Sequence, residues 1–322
     1  MVFKLTESII FGVLLLAQSL AVFAPNFSQA RHGAAFVLAL KKRLRDLYSA
    51  DRKYVDESKE VCDGVVSFHS VDFRYSSCTY IFTQDQMVLR SVSFEAAPGQ
   101  IIALAGEPGS GKRACLELLQ LFDRPTGGEI LLDKKATKCL DVSWVRQQMG
   151  IINLEPHFFL DTIWSNIAYG QSRRHVTNQM VIEACQQSGV HDFITKLPQG
   201  YQTILGSTES QGEPIGPTQK VLLSIARAIL REPKILLVDQ SGWEDLSEDQ
   251  VKKVITALED VRKDRTCIVI SPLLLTAEKC DQVWLLQQGR VVDQGRHQEL
   301  LTRRPRYRRL FKELRSRRHD GK

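Results

Sequence analysis

The sequence predicts a mixed α/β fold: a phosphate-loop core, an antiparallel β subdomain, a helical subdomain, and one transmembrane helix ahead of them. Three observations carry that prediction. The glycine-rich stretch Gly106-Glu107-Pro108-Gly109-Ser110-Gly111-Lys112-Arg113 lies between the strand-like run Gln100 to Ala105 and the helix-like run Ala114 to Phe122. A buried-type strand that ends in an aspartate, Ile235-Leu236-Leu237-Val238-Asp239, returns about 130 residues later. Between the two, from about Asp141 to Leu230, the pattern is mostly helical.

In chain order, the first element is the apolar run Ile9 to Ala24, interrupted only by Gly12, Gln18 and Ser19. A spanning helix wants roughly 20 residues, and counting from Val2 reaches that length only by including Lys4 and Glu7. A cleaved secretory signal is the competing reading, with one Lys, an apolar centre and small residues near Ala21. The membrane helix is the expectation adopted. The run continues through Ser28-Gln29-Ala30-Arg31 into an amphipathic helix over 27–55. Its Lys41, Lys42, Arg43 and Arg45 would sit on the cytoplasmic side.

The polar segment Asp51 to Asp63 reads as a linker. Val65 to Phe68 and Val71 to Tyr75 alternate like antiparallel strands, and Val88 to Ala96 and Gln100 to Ala105 add two more around a Pro98-Gly99 turn. Helix 112–122 stops before the turn Pro125 to Gly128, and Glu129 to Leu132 is a further strand. After the helical stretch come the strand 234–239, a helix over about 247–262, and the strand Thr266 to Ile270. A hairpin around Gly289 closes the series. The domain plan is therefore a membrane helix and helical linker over 1–60, a nucleotide-binding domain over 61–302 with its helical subdomain at about 154–229, and a basic tail over 303–322.

Composition narrows the function classes. A chain of 322 residues, 43% hydrophobic, can bury one large core or two modest ones. Seven cysteines without Cys-x-x-Cys spacing argue against a disulfide framework or a zinc site and for a reduced, cytosol-facing environment. The net charge is +6, but Arg303 to Lys322 holds ten Lys/Arg against Glu313 and Asp320, a net of +8, leaving about −2 elsewhere. That distribution argues against a nucleic-acid partner. The tail reads as a solvated helix end, with contact to anionic lipid headgroups as the other reading.

The chemistry begins at the loop. Strand, glycine-rich loop and helix in that order let successive backbone N–H groups and a helix N-terminus cradle phosphates, while Lys112 reaches the outer ones. This arrangement predicts a P-loop NTPase core. The usual pattern places Ser or Thr after the lysine to ligate Mg²⁺, and here that position is Arg113, followed by Ala114. The second acidic element is Asp239, which would order the metal shell. The next position is Gln240, whose amide can orient water but cannot take its proton, and a general base is worth about 10²–10⁴ in rate.

With these residues the chain resembles the ATP-binding domain of ABC transporters, most closely that of P-glycoprotein-like multidrug exporters. The resemblance covers nearly all of it. Phe23-Ala24-Pro25-Asn26-Phe27 is similar to the end of a last transmembrane helix. Tyr75 matches the aromatic that stacks on adenine, and Leu154-Glu155-Pro156 with Thr162 to Gly170 follows the loop that contacts the membrane domain. Ala226-Arg227-Ala228, Arg265 to Ile270 and Gly295 to Leu301 match as well.

The departures fall on positions that the resemblance marks as catalytic. Arg113 replaces the metal-binding hydroxyl, which puts Mg²⁺ in doubt as a cofactor beside ATP, and Leu154 replaces a glutamine that bridges metal and membrane domain. The Leu-Ser-Gly-Gly-Gln signature becomes Ile215-Gly216-Pro217-Thr218-Gln219, after a three-residue insertion within 207–214. Gln240 stands at the catalytic glutamate, Trp243-Glu244-Asp245-Leu246 replaces Ser-Ala-Leu-Asp, and Pro272 stands at the switch histidine. Pro217 has no N–H to offer and Thr218 adds bulk where glycine backbone would approach phosphate. Charge suggests an Arg113–Asp239 ion pair in the metal's place.

The resemblance implies an ATP-binding domain of an exporter-like membrane transporter, working with another transporter half or nucleotide-binding domain and facing the cytoplasm. Hydrolysis is expected to be weak or lost. The alternative is a catalytically inactive, membrane-tethered module that regulates or scaffolds an intact transporter, and a third is a chain with no remaining activity.

Overall fold

The computed structural model describes residues 13, 31–41, 62–75, 87–171, 176–205, 215–243, 246–270 and 274–311. The chain divides into two compact units, Met1–Val55 and Asp56–Lys322. In the first, residues 31–41 are helical with exposed side chains, inside the helix expected over 27–55. The apolar run read as a membrane helix lies outside the described residues apart from Val13. Among the described residues no helix is long and apolar enough to cross a membrane, so the expected span finds no support there.

Among the described residues the second unit has two large sheets and one small one. β1 (Val66–Phe73), β2 (Leu89–Ala96), β4 (Gly127–Leu132) and β5 (Lys135–Ala136) form an antiparallel sheet in the order β2-β1-β4-β5. From Ser91 onward β2 alternates exposed and buried positions, as a sheet with one wet face requires. Phe68 pairs in register with Phe94, and their rings stack at 4.2 Å.

The larger sheet runs β12-β11-β3-β10-β9-β6. It joins β3 (Ile101–Ala105), β6 (Met149–Ile152), β9 (Ile235–Asp239), β10 (Thr266–Ile270), β11 (Gln282–Gln287) and β12 (Arg290–Gly295). Only the β11–β12 hairpin is antiparallel. β9 and β10 are buried at every position, which is why both read in the sequence as unbroken apolar runs.

β6 departs from the sequence expectation, which placed this stretch among helices. A four-residue apolar run gives no period that separates strand from buried helix. Parallel pairing with β9 decides it, and Gly150 lets the strand lie close: a Cβ there would meet Pro233 Cγ at 2.8 Å. A small pair, β7 (Asp161–Thr162) and β8 (Ile204–Leu205), also escaped the sequence pattern.

The helical layer packs as a separate core. Helices Asn178–Gln187, Pro217–Arg231 and Glu248–Val261 enclose Val181, Val221, Ile225, Val254 and a fully buried Trp243. The last helix starts at a capping box, Ser247 with Gln250, that satisfies two otherwise orphaned donors. Beyond helix His297–Arg303, residues 305–311 form one more α-helical segment, where the sequence expected a solvated one. Tyr307 and Phe311, spaced i and i+4 among arginines, are buried against Leu300, Ala277 and Val283. Residues 312–322 lie outside the described residues.

Candidate functional site

The site forms at the carboxyl ends of the parallel strands. β3 delivers the loop 106–111 and β9 delivers Asp239, with β10 between them. Helix Lys112–Leu119 opens at Gly111, whose φ of 101° is left-handed, and no side chain caps it. Its first-turn N–H groups are thereby left for an anion, reinforced by the helix dipole. Gly106 is required by a close approach: a Cβ there would lie 2.3 Å from the Leu286 carbonyl oxygen.

Glu107, Pro108 and Gly109 are exposed at the loop tip, whereas Ser110, Lys112 and Ala114 are buried. Lys112 Nζ donates to the carbonyls of Gly106 at 2.7 Å and Glu107 at 2.9 Å, and lies 3.3 Å from Ser110 Oγ. The ammonium thus closes the loop on itself. Burial lowers its pKa to about 8, against the opposing pull of Asp239.

Tyr75 stands just beyond β1. Its hydroxyl donates to Glu117 Oε2 at 2.6 Å, tying the ring to the loop helix, and the ring meets Phe73 edge-on at 4.9 Å. The tyrosine is 48% exposed, so a ring face remains open to a flat ligand. Burial and the Glu117 carboxylate raise its pKa. Glu117 is a site residue that the sequence reading did not identify; its i+4 spacing from Arg113 places it on the same helix, and nothing in the sequence ties it to Tyr75.

Arg113 and Asp239 meet. Arg113 Nη2 donates to Asp239 Oδ2 at 3.0 Å, with the arginine side chain 72% exposed and the aspartate 10%. The other carboxylate oxygen accepts from the Ser241 amide at 2.9 Å. A divalent cation of the Mg²⁺ type takes oxygen ligands, and a guanidinium has donors only. The hydroxyl is replaced, the carboxylate is engaged by a cation already, and Leu154 is an apolar side chain packed against the helical core. These residues do not fit Mg²⁺.

Gln240 is fully buried. Its amide Nε2 donates to Thr276 Oγ1 at 2.9 Å, and its backbone N–H donates to the Ile270 carbonyl at 3.1 Å. Thr276, on helix Leu274–Ala277, is the second residue missed from sequence. Pro272 lies outside the described residues, as do Glu244, Asp245 and the stretch 207–214 in which the insertion is expected.

The altered signature is split. Ile215 packs on the helical core, Gly216 is the N-cap of helix Pro217–Arg231, and Pro217 occupies its first turn, where a missing N–H costs no helical hydrogen bond. Thr218 is buried with its hydroxyl unpartnered, and Gln219 folds its Oε1 toward Gly216. The helix that follows the phosphate loop packs in one hydrophobic cluster and this helix in another. Arg227 braces the helix against the loop after β6, donating from Nε to the Asn166 carbonyl at 2.8 Å and lying 5.1 Å from the Phe158 ring centre.

Comparison with known proteins agrees with this fold. The ABC transporter family profile matches residues 89–241. ATP-binding cassette sub-family B member 5 of Mus musculus is 36% identical over 93% of this chain, and multidrug resistance protein homolog 65 of Drosophila melanogaster is 34% identical over 97%. The chain spans 23% of the length of each of these relatives. Among solved structures, a bacterial Atm1-family ABC exporter with ATP bound aligns with a TM-score of 0.68 and 32% identity, covering 79% of this chain and 42% of that one.

Proposed function

Given that the chain carries the ATP-binding domain of the ABC transporter family, similar to those of multidrug exporters, we propose that it binds ATP for such a transporter while hydrolysing it weakly or not at all. The triphosphate would lie in the cradle of Gly106, Glu107, Pro108, Gly109, Ser110 and Gly111, against Lys112 and the helix that continues through Arg113 and Ala114, with adenine on Tyr75. The domain would work at the cytoplasmic face of a membrane, paired with another transporter half or nucleotide-binding domain.

One observation supports the second half of that reading best: the residue at the base position, Gln240, is fully buried and hydrogen-bonded to Thr276. Neither its chemistry nor its placement lets it take a proton from water. What remains is positioning and electrostatics, which sustain slow turnover at most. Equilibrium binding of labelled ATP together with a phosphate-release assay tests the reading. Binding without appreciable release is the expected result; rapid release would overturn it. The triple variant Gln240→Glu, Arg113→Ser, Pro272→His is expected to stay below full activity while residues 215–218 are unchanged.

A second reading draws on Pro217 and Thr218. If each ATP is shared between one domain's phosphate loop and the other's signature, both faces of this chain are altered. The chain would then act as a regulatory or scaffolding module for an intact transporter. Added to an intact nucleotide-binding domain, it would change that domain's assembly without raising its turnover.

A further inference from the structure

We propose that this loop holds a nucleoside triphosphate as the free anion, without a divalent cation, with the Arg113 guanidinium standing where the metal would be. The proposal rests on the nucleotide-binding reading above and specifies the charge state of the ligand. Its basis is the contact between Arg113 Nη2 and Asp239 Oδ2 at 3.0 Å, across strands that bring the two residues to one end of the sheet.

The pair does two things at once. It neutralises the carboxylate that would otherwise attract a cation, and it fixes a positive charge beside the phosphate cradle. A guanidinium has five N–H donors in a planar fork, and one of them serves Asp239. The side chain is 72% exposed, so its remaining donors face the solvent from which a phosphate would come. Arg113 pairs with Asp239, the same carboxylate whose charge acts on Lys112, so a triphosphate at this helix N-terminus would meet two cations together. A metal ion, by contrast, would find one carboxylate oxygen on Arg113, the other on the Ser241 amide, and a neighbouring positive charge. Phosphate would therefore prefer this site bare.

Equilibrium dialysis of labelled ATP against the full chain, in EDTA and in excess Mg²⁺, tests this directly. The dissociation constant in EDTA should equal or fall below that in Mg²⁺. Arg113→Ser and Arg113→Gln, at a side chain that is mostly exposed, should each weaken binding in EDTA by about tenfold or more and restore a benefit from Mg²⁺. Binding that requires Mg²⁺ in the unaltered chain would overturn the proposal and leave the nucleotide-binding function standing. Equal binding in EDTA by the chain and both variants would overturn the role of Arg113. Absence of binding in either buffer would overturn the proposal and the function together.

Discussion

At Lys112, burial and the proposed phosphate binding pull in opposite directions. The ammonium sits under its own loop carbonyls with its pKa lowered to about 8 by desolvation, against pulls from Asp239, Cys115 and Glu107. An anion is attracted only to the charged form, so ATP affinity should fall as pH rises from about 7 to about 9, through the folded pKa. Stability of the ligand-free chain should move the other way. Above pH 8 the folded lysine is neutral while the unfolded one still binds a proton up to its ordinary value of 10.5, so unfolding free energy rises across that window. Titration calorimetry and thermal melts over the same pH range would separate the two slopes, and parallel slopes would refute the assignment. A second residue, Thr218, hides a hydroxyl with no partner. Thr218→Val removes that orphan and should stabilise the chain by about 1 kcal/mol, read as a rise in melting temperature.

Among the elements, the C-terminal helices show how sequence and fold part company. The arginine-rich segment from Arg303 onward reads as a solvated tail because its charges outnumber its apolar residues. Tyr307 and Phe311 nonetheless fall on one face and close a core cluster, with His297 Nδ1 at 2.7 Å from the Tyr307 hydroxyl. Phe311→Ala should cost about 3 kcal/mol, which denaturant titration would register; a neutral result would place the segment outside the folded unit. Burial also lowers the His297 pKa, opposed by Glu278, with the aromatic rings of Tyr307 and Phe311 packed on it. Below its ordinary value of 6.5 the unfolded histidine takes up a proton that the folded one resists. Stability should therefore decline as pH falls below that point, and His297→Asn should flatten the decline.

Across the whole molecule, the parts legible in the sequence were those with a local signature. Burial on both faces gives β9 and β10 their continuous apolar runs, and the glycine spacing of 106–111 fixes strand, loop and helix together. The Arg113–Asp239 contact was also within reach, because two opposite charges at two motif positions imply it. β6 was not, since its identity is set by pairing with β9 rather than by its own four residues. Nor was the Gln240–Thr276 bond, which joins residues brought close by tertiary packing alone. At this scale the expectation concerns partnership. Added to an intact nucleotide-binding domain, the chain should leave that domain's ATP turnover unaccelerated, because each shared site would include one altered face; marked acceleration would argue that Pro217 and Thr218 are tolerated.

The strand order has a consequence for biosynthesis. The loop leaves β3, yet its neighbour in the sheet is β10, and only through β10 does β9 bring Asp239 to Arg113. About 160 residues separate the loop lysine from the end of β10. A ribosome adding about 5–20 residues per second would need roughly 10–30 s to supply them. During that interval a nascent chain holds half a cradle whose sheet has a missing middle, its apolar edges open to chaperones or to wrong pairing.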